Sequence, residues 1–65
     1  MKITLNGETV ETDHCSLEEL LVTFNYQAKT VATAINGEFV PVDERRETIL
    51  AENDSVDVIA PMAGG

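Results

Sequence analysis

The dipeptide Asn-Gly occurs twice, at positions 6–7 and 36–37, each time followed by glutamate and each time flanked by short apolar and β-branched runs. Both residues of such a pair take positive φ at little cost, which matches the twist of two antiparallel strands joined by a two-residue loop. No other local signal limits the chain so strongly, and it implies two tight hairpins. In the first, Ile3 and Leu5 fall on one face and Lys2 and Thr4 on the other, the alternation of a half-buried strand, and Val10 returns inward on the second strand. In the second, TVATAI is short and β-branched, and EFV is a brief strand stopped by Pro41, as suits a sheet edge. A third Asn-Gly-Glu is missing, so the two copies signify similar hairpins and not a repeat fold.

Between the hairpins stands HCSLEELLVTFN. Ser16 with Glu19 three residues on forms a capping box, and Cys15 and Leu20 occupy the staple positions around it. Leu17, Leu20, Leu21 and Phe24 keep the i, i+3, i+4, i+7 spacing of one apolar helix face. The pattern predicts a helix from about Leu17 to Phe24, ending near Asn25, which tolerates the left-handed terminal conformation. Beyond Pro41, VDERRETIL predicts a loop or single helical turn with Ile49 and Leu50 in the core. AENDS predicts a turn with Asn53 at positive φ. VDVIAPM predicts a last strand, Val56 and Val58 facing one way, Asp57 and Ile59 the other. The order is ββαββ, an α+β fold: a mixed sheet of four to five strands with one amphipathic helix packed across it. First and last strands are expected to pair at its centre.

A chain of 65 residues supports one domain with one small core. Twelve acidic residues against four basic ones give a net charge of −8, which excludes a phosphate-binding surface for nucleic acid. The acidity suits solubility and steering toward a basic partner. With 43% hydrophobic residues at periodic positions, the same charge does not imply disorder. One cysteine cannot make an internal disulfide, so a reducing cytoplasm is the expected setting. The N-terminus carries no signal-peptide pattern, and no apolar run approaches membrane-spanning length.

Catalytic constellations are thin. His14, the only histidine, precedes the helix cap and reads as a solvated loop residue. Cys15 has two readings: a reactive thiol near a helix N-terminus, or a packing residue, which the staple position favours. Adjacent His and Cys do not give the spacing zinc requires, and ENDSVD lacks the glycine and distal glutamate of a calcium loop, so no metal is expected. Glu44-Arg45-Arg46-Glu47 reads as a surface loop of weak ion pairs, with a partner contact as the alternative. AGG at the end has no strand–helix context for phosphate, so no cofactor is expected on the chain itself. The protein reads as a non-enzyme.

That leaves PMAGG. Residues 1–62 read as the folded domain and 63–65 as a flexible tail. Five extended residues span roughly 17 Å, enough to reach into another protein's active site. Gly64 and Gly65 lack Cβ atoms and, with Ala63, give clearance in a narrow channel. The terminal carboxylate is ionised at neutral pH and can attack the α-phosphate of ATP. A sulfur nucleophile can displace the resulting adenylate and leave a thiocarboxylate.

MKITLNGE at the start, LEELL on the helix, VATAINGEFVP in the middle, ENDSVDVI near the end and the terminal GG together resemble the ThiS family of thiamin-pathway sulfur carriers. The resemblance covers the whole chain. It implies a ubiquitin-like β-grasp fold, with first and last strands parallel. It implies that Gly65 is adenylated by an E1-like adenylyltransferase that consumes ATP, and that a cysteine desulfurase or other donor supplies sulfur. Thiazole synthase would then receive it. Many relatives have Arg directly after the proline and Trp three residues later, where this chain has Val42 and Arg45; many have Gly where it has Asn53. Ile59, Phe39 and Met62 are candidate partner-docking residues, with purely local packing as the alternative. The molybdopterin synthase small subunit, another sulfur carrier, a protein modifier joined through Gly65 and a non-covalent binding domain remain competing readings.

Overall fold

The computed structural model describes residues 1–26 and 30–60. The elements follow in the order β1 (Lys2–Leu5), β2 (Glu8–Glu11), α1 (Leu17–Thr23), β3 (Ala32–Ile35), β4 (Glu38–Val40), a single 3-10 turn (Val42–Glu44) and β5 (Ser55–Ile59). They form one five-stranded sheet in the order β2-β1-β5-β3-β4. β1 and β5 run parallel, with Thr4 opposite Ser55 and Leu5 opposite Val56, and every other pairing is antiparallel. This is the expected α+β architecture, the ubiquitin-like β-grasp, with β4 at an edge.

Both hairpins turn as their Asn-Gly pairs require: φ is 51° at Asn6 and 85° at Gly7, 51° at Asn36 and 86° at Gly37. Asn25 and Asn53 also take positive φ. The capping box is complete. The Glu19 N–H donates to Ser16 Oγ at 3.1 Å, and the Ser16 N–H donates to Glu19 Oε1 at 2.9 Å. Helix α1 stops one residue before the predicted end, with Phe24 as its cap. Leu17, Leu20 and Leu21 face the sheet and join Ile3, Leu5, Val31, Val40, Leu50, Val56 and Val58 in the core. Cys15 and Val10 pack half-buried against it, and Cys15 therefore takes the packing position expected of a staple residue.

Two expectations fail in the segment after the 3-10 turn. Ile49 is 57% exposed, whereas Leu50 is buried. The Leu17 N–H donates to the Thr48 carbonyl at 2.8 Å and the Leu50 N–H to the Cys15 carbonyl at 3.0 Å, so the two segments lie as a short antiparallel bridge between Ser16 and Ile49. Adjacent residues on extended backbone face opposite ways, and only one of the pair can enter the core. The charge run also divides. Arg46 is exposed and reaches Glu18 at 3.3 Å. Arg45 is only 2% exposed and lies inside, its Nε donating to Thr33 Oγ1 at 3.1 Å and its Nη2 to the Val31 carbonyl at 2.6 Å. Thr33 passes the chain on, donating to the Val40 carbonyl at 2.8 Å. Burying a guanidinium is tolerable when neutral oxygens satisfy its donors. The surface-loop reading of Glu44–Glu47 is thus wrong at Arg45.

Candidate site at the end of the central strand

The alternation of VDVI decides what β5 shows to each side. Val56 and Val58 are buried under α1, which turns Asp57 and Ile59 to the uncovered face. Ile59 lies opposite Ala32, Asp57 opposite Ala34, and Ala34 opposite Phe39. Phe39 and Ile59 therefore share the open face, as the pattern suggested, with two alanines between them. They are 68% and 63% exposed, and Ala60 after them is exposed too. Strand β5 as described ends at Ile59. Met62, Ala63, Gly64 and Gly65 lie outside the described residues, as does the proposed boundary between domain and tail.

The chain's histidine and cysteine sit elsewhere. An open hollow of about 640 Å³ is lined by Met1, Thr12, His14, Cys15 and Glu19, among others. Met1 immediately precedes β1 and Thr12 immediately follows β2, so the hollow lies at the opposite end of the sheet from the exit of β5. The Cys15 Sγ is 3.7 Å from Thr12 Oγ1. Among the described residues no cluster of three His, Cys, Asp or Glu side chains is placed to hold a metal. No helix among them is long and apolar enough to cross a membrane.

Two residues escaped the sequence reading because their local role was already accounted for. Asn6 and Asn36 were assigned to their turns by backbone conformation alone. Their side chains also bond β5: Asn6 Oδ1 accepts the Val58 N–H at 2.8 Å, and Asn36 Oδ1 accepts the Ser55 N–H at 3.0 Å. Asparagine occurring at both turns, where glycine would also satisfy φ, was the available signal.

The sequence pattern of the ThiS family matches residues 3–65, nearly the whole chain. The chain belongs to the ThiS family. Solved structures agree. The crystal structure of the thiamine biosynthesis protein ThiS from Geobacter metallireducens is 29% identical, with a TM-score of 0.87 and all of both chains covered. The solution structure of a thiamine biosynthesis protein from the same organism is also 29% identical, with a TM-score of 0.83, covering this chain fully and 88% of that one. No protein of curated function matches the sequence. The ThiS-family span includes Gly64 and Gly65, so the two glycines belong to the matched sequence.

Proposed function

We propose that this ThiS-family chain is a sulfur carrier for thiamin biosynthesis, acting as a co-substrate and not as an enzyme. In this reading the Gly65 carboxylate attacks the α-phosphate of ATP on an adenylyltransferase of the ubiquitin-activating type, and pyrophosphate leaves. Sulfide equivalents from a cysteine desulfurase or another donor then displace AMP from the acyl carbon. The thiocarboxylate so formed gives its sulfur to thiazole synthase. Ala63 and Gly64 supply clearance, and Ile59, Phe39 and Met62 meet the partners. The setting is the cytoplasm.

The reading rests on the ThiS-family match running through Gly65, with the likeness to two thiamine biosynthesis proteins in support. The exposed Ile59–Phe39 face beside the exit of β5 suits a protein that docks before its C-terminus reacts. Incubation with the cognate activating enzyme, ATP and a sulfur source should convert the C-terminal carboxylate to a thiocarboxylate, seen by intact mass as one oxygen-for-sulfur exchange. Removing Gly65 should abolish it. A lysine-linked adduct in place of that exchange would make the chain a protein modifier, and no change in mass would overturn the proposal.

A further inference from the structure

Strand β5 has two neighbours that differ in length. β3 accompanies it from Val56 to Ile59, with Ile35 opposite Val56 and Ala32 opposite Ile59. β1 accompanies it only at Ser55 and Val56, because the chain turns away at Asn6-Gly7. Beyond that point no described strand pairs with the β1 side of β5, although the Val58 N–H faces it. Asn6 fills the gap twice over. Its own N–H donates to the Val56 carbonyl at 2.9 Å, and its side-chain Oδ1 accepts the Val58 N–H at 2.8 Å. A backbone N–H only donates, which fixes the oxygen of the amide toward Val58 and leaves the nitrogen to face away. That nitrogen donates to the Tyr26 hydroxyl at 3.3 Å, and the Tyr26 N–H donates to the Leu21 carbonyl of α1 at 2.9 Å. Val58, the penultimate residue of β5, is thereby linked to Leu21 in the last turn of the helix.

Asn36 makes the corresponding contact at the start of β5. Its N–H donates to the Ser55 carbonyl at 2.7 Å, its Oδ1 accepts the Ser55 N–H, and its Nδ2 donates to Asp54 Oδ1 at 3.1 Å. Asp54 is itself tied down by the Ala51 N–H at 2.8 Å. The start of β5 therefore has several attachments, whereas its exit, paired with β3 on one flank, is held on the β1 flank among the described residues by the Asn6 side chain.

We propose that Asn6 is a positioning residue: its amide fixes the course of Val58 to Ala60, the end of β5 from which the chain is presented to a partner. The positioning role rests on the sulfur-carrier reading, and the hydrogen-bond role does not. Asn6→Gly keeps the positive φ and deletes the amide; Asn6→Asp keeps the acceptor and deletes the donor. In Asn6→Gly, amide hydrogen exchange at Val58 should quicken about three- to tenfold, the scale of one ordinary hydrogen bond. Exchange at residue 6 itself, taken relative to its intrinsic rate, should stay within about twofold, since its N–H still donates to the Val56 carbonyl. With the cognate activating enzyme and ATP, pyrophosphate release at saturating carrier should fall several-fold while the half-saturating concentration holds, and Asn6→Asp should restore most of the rate. A residue that merely stabilised the turn would lower the melting temperature and leave the saturating rate of the folded protein alone.

If Asn6→Gly does not fold, Tyr26→Phe removes only the hydroxyl behind Asn6 and should raise Val58 exchange by about twofold. Unchanged Val58 exchange, or an unchanged saturating rate, overturns the assignment. A wild-type chain that is never adenylated overturns the sulfur-carrier reading with it, and the bond from Asn6 to Val58 then stands or falls on the exchange result.

Discussion

The two faces of the sheet are built from alternate residues of the same strands, yet they differ in kind. Under α1, Ile3, Leu5, Val40, Val56 and Val58 cluster with Leu17, Leu20 and Leu21, and Thr33 is buried beside Arg45. On the other side the face is itself divided. The register puts Lys2, Thr4, Thr9 and Glu11 on its β1–β2 half. Ala32, Ala34, Phe39 and Ile59 occupy its β3–β4–β5 half, beside Asp57. Solubility can therefore be met by polar alternation on this fold, as the first hairpin does, and the second half departs from it. Scattered exposed apolar residues are ordinary in any protein. Two large ones, Phe39 and Ile59, stand exposed beside small alanines near the exit of β5.

The largest effect expected on this contrast comes from the covered face. Leu20→Ala should cost about 3 kcal/mol, the usual range for a fully buried leucine in a core that relaxes little, and lower the urea midpoint accordingly. Arg45→Met sharpens the picture, because it keeps volume and removes the guanidinium from Thr33 and the Val31 carbonyl. Its expected cost is about 1–2 kcal/mol, since two buried oxygens lose their donor. Were Arg45 a surface residue, the same change would be nearly neutral in a thermal melt. The smallest effect on stability belongs to the open face: Ile59→Ser together with Phe39→Ser should change it by about 0.5 kcal/mol or less. The same pair should weaken binding to the activating enzyme by about tenfold or more, as truncated anchors do. A double variant as unstable as Leu20→Ala would erase the distinction between the faces.

Much of this architecture was legible because its signals are local. Asn-Gly fixes a hairpin within four residues, and Ser16 with Glu19 fixes a helix start within one turn. The parallel pairing of first and last strands came from the family resemblance, and the register bears it out. What escaped was long-range. Nothing near Arg45 indicates that Thr33 and Val31, twelve and fourteen positions earlier, converge on it. Asn6 meets a residue 52 positions away. Ile49 was misjudged for a different reason: two adjacent apolar residues suggested two core residues, and extended backbone allows only one. Of the candidate site, the shared face of Ile59 and Phe39 followed from alternation, while Met62, Ala63, Gly64 and Gly65 concern positions outside the described residues.

The strand order also has a consequence for how the molecule is made. Among the described residues β1–β2 and β3–β4 are two hairpins with no ladder between them except through β5, the last of the described strands. Each hairpin alone is marginal in water. Thr4 must wait for Ser55, so the contacts that unite the sheet span most of the chain, and closing such loops is slow relative to helix formation. The sheet is continuous only when the segment that leads to the C-terminal residues lies between the two hairpins.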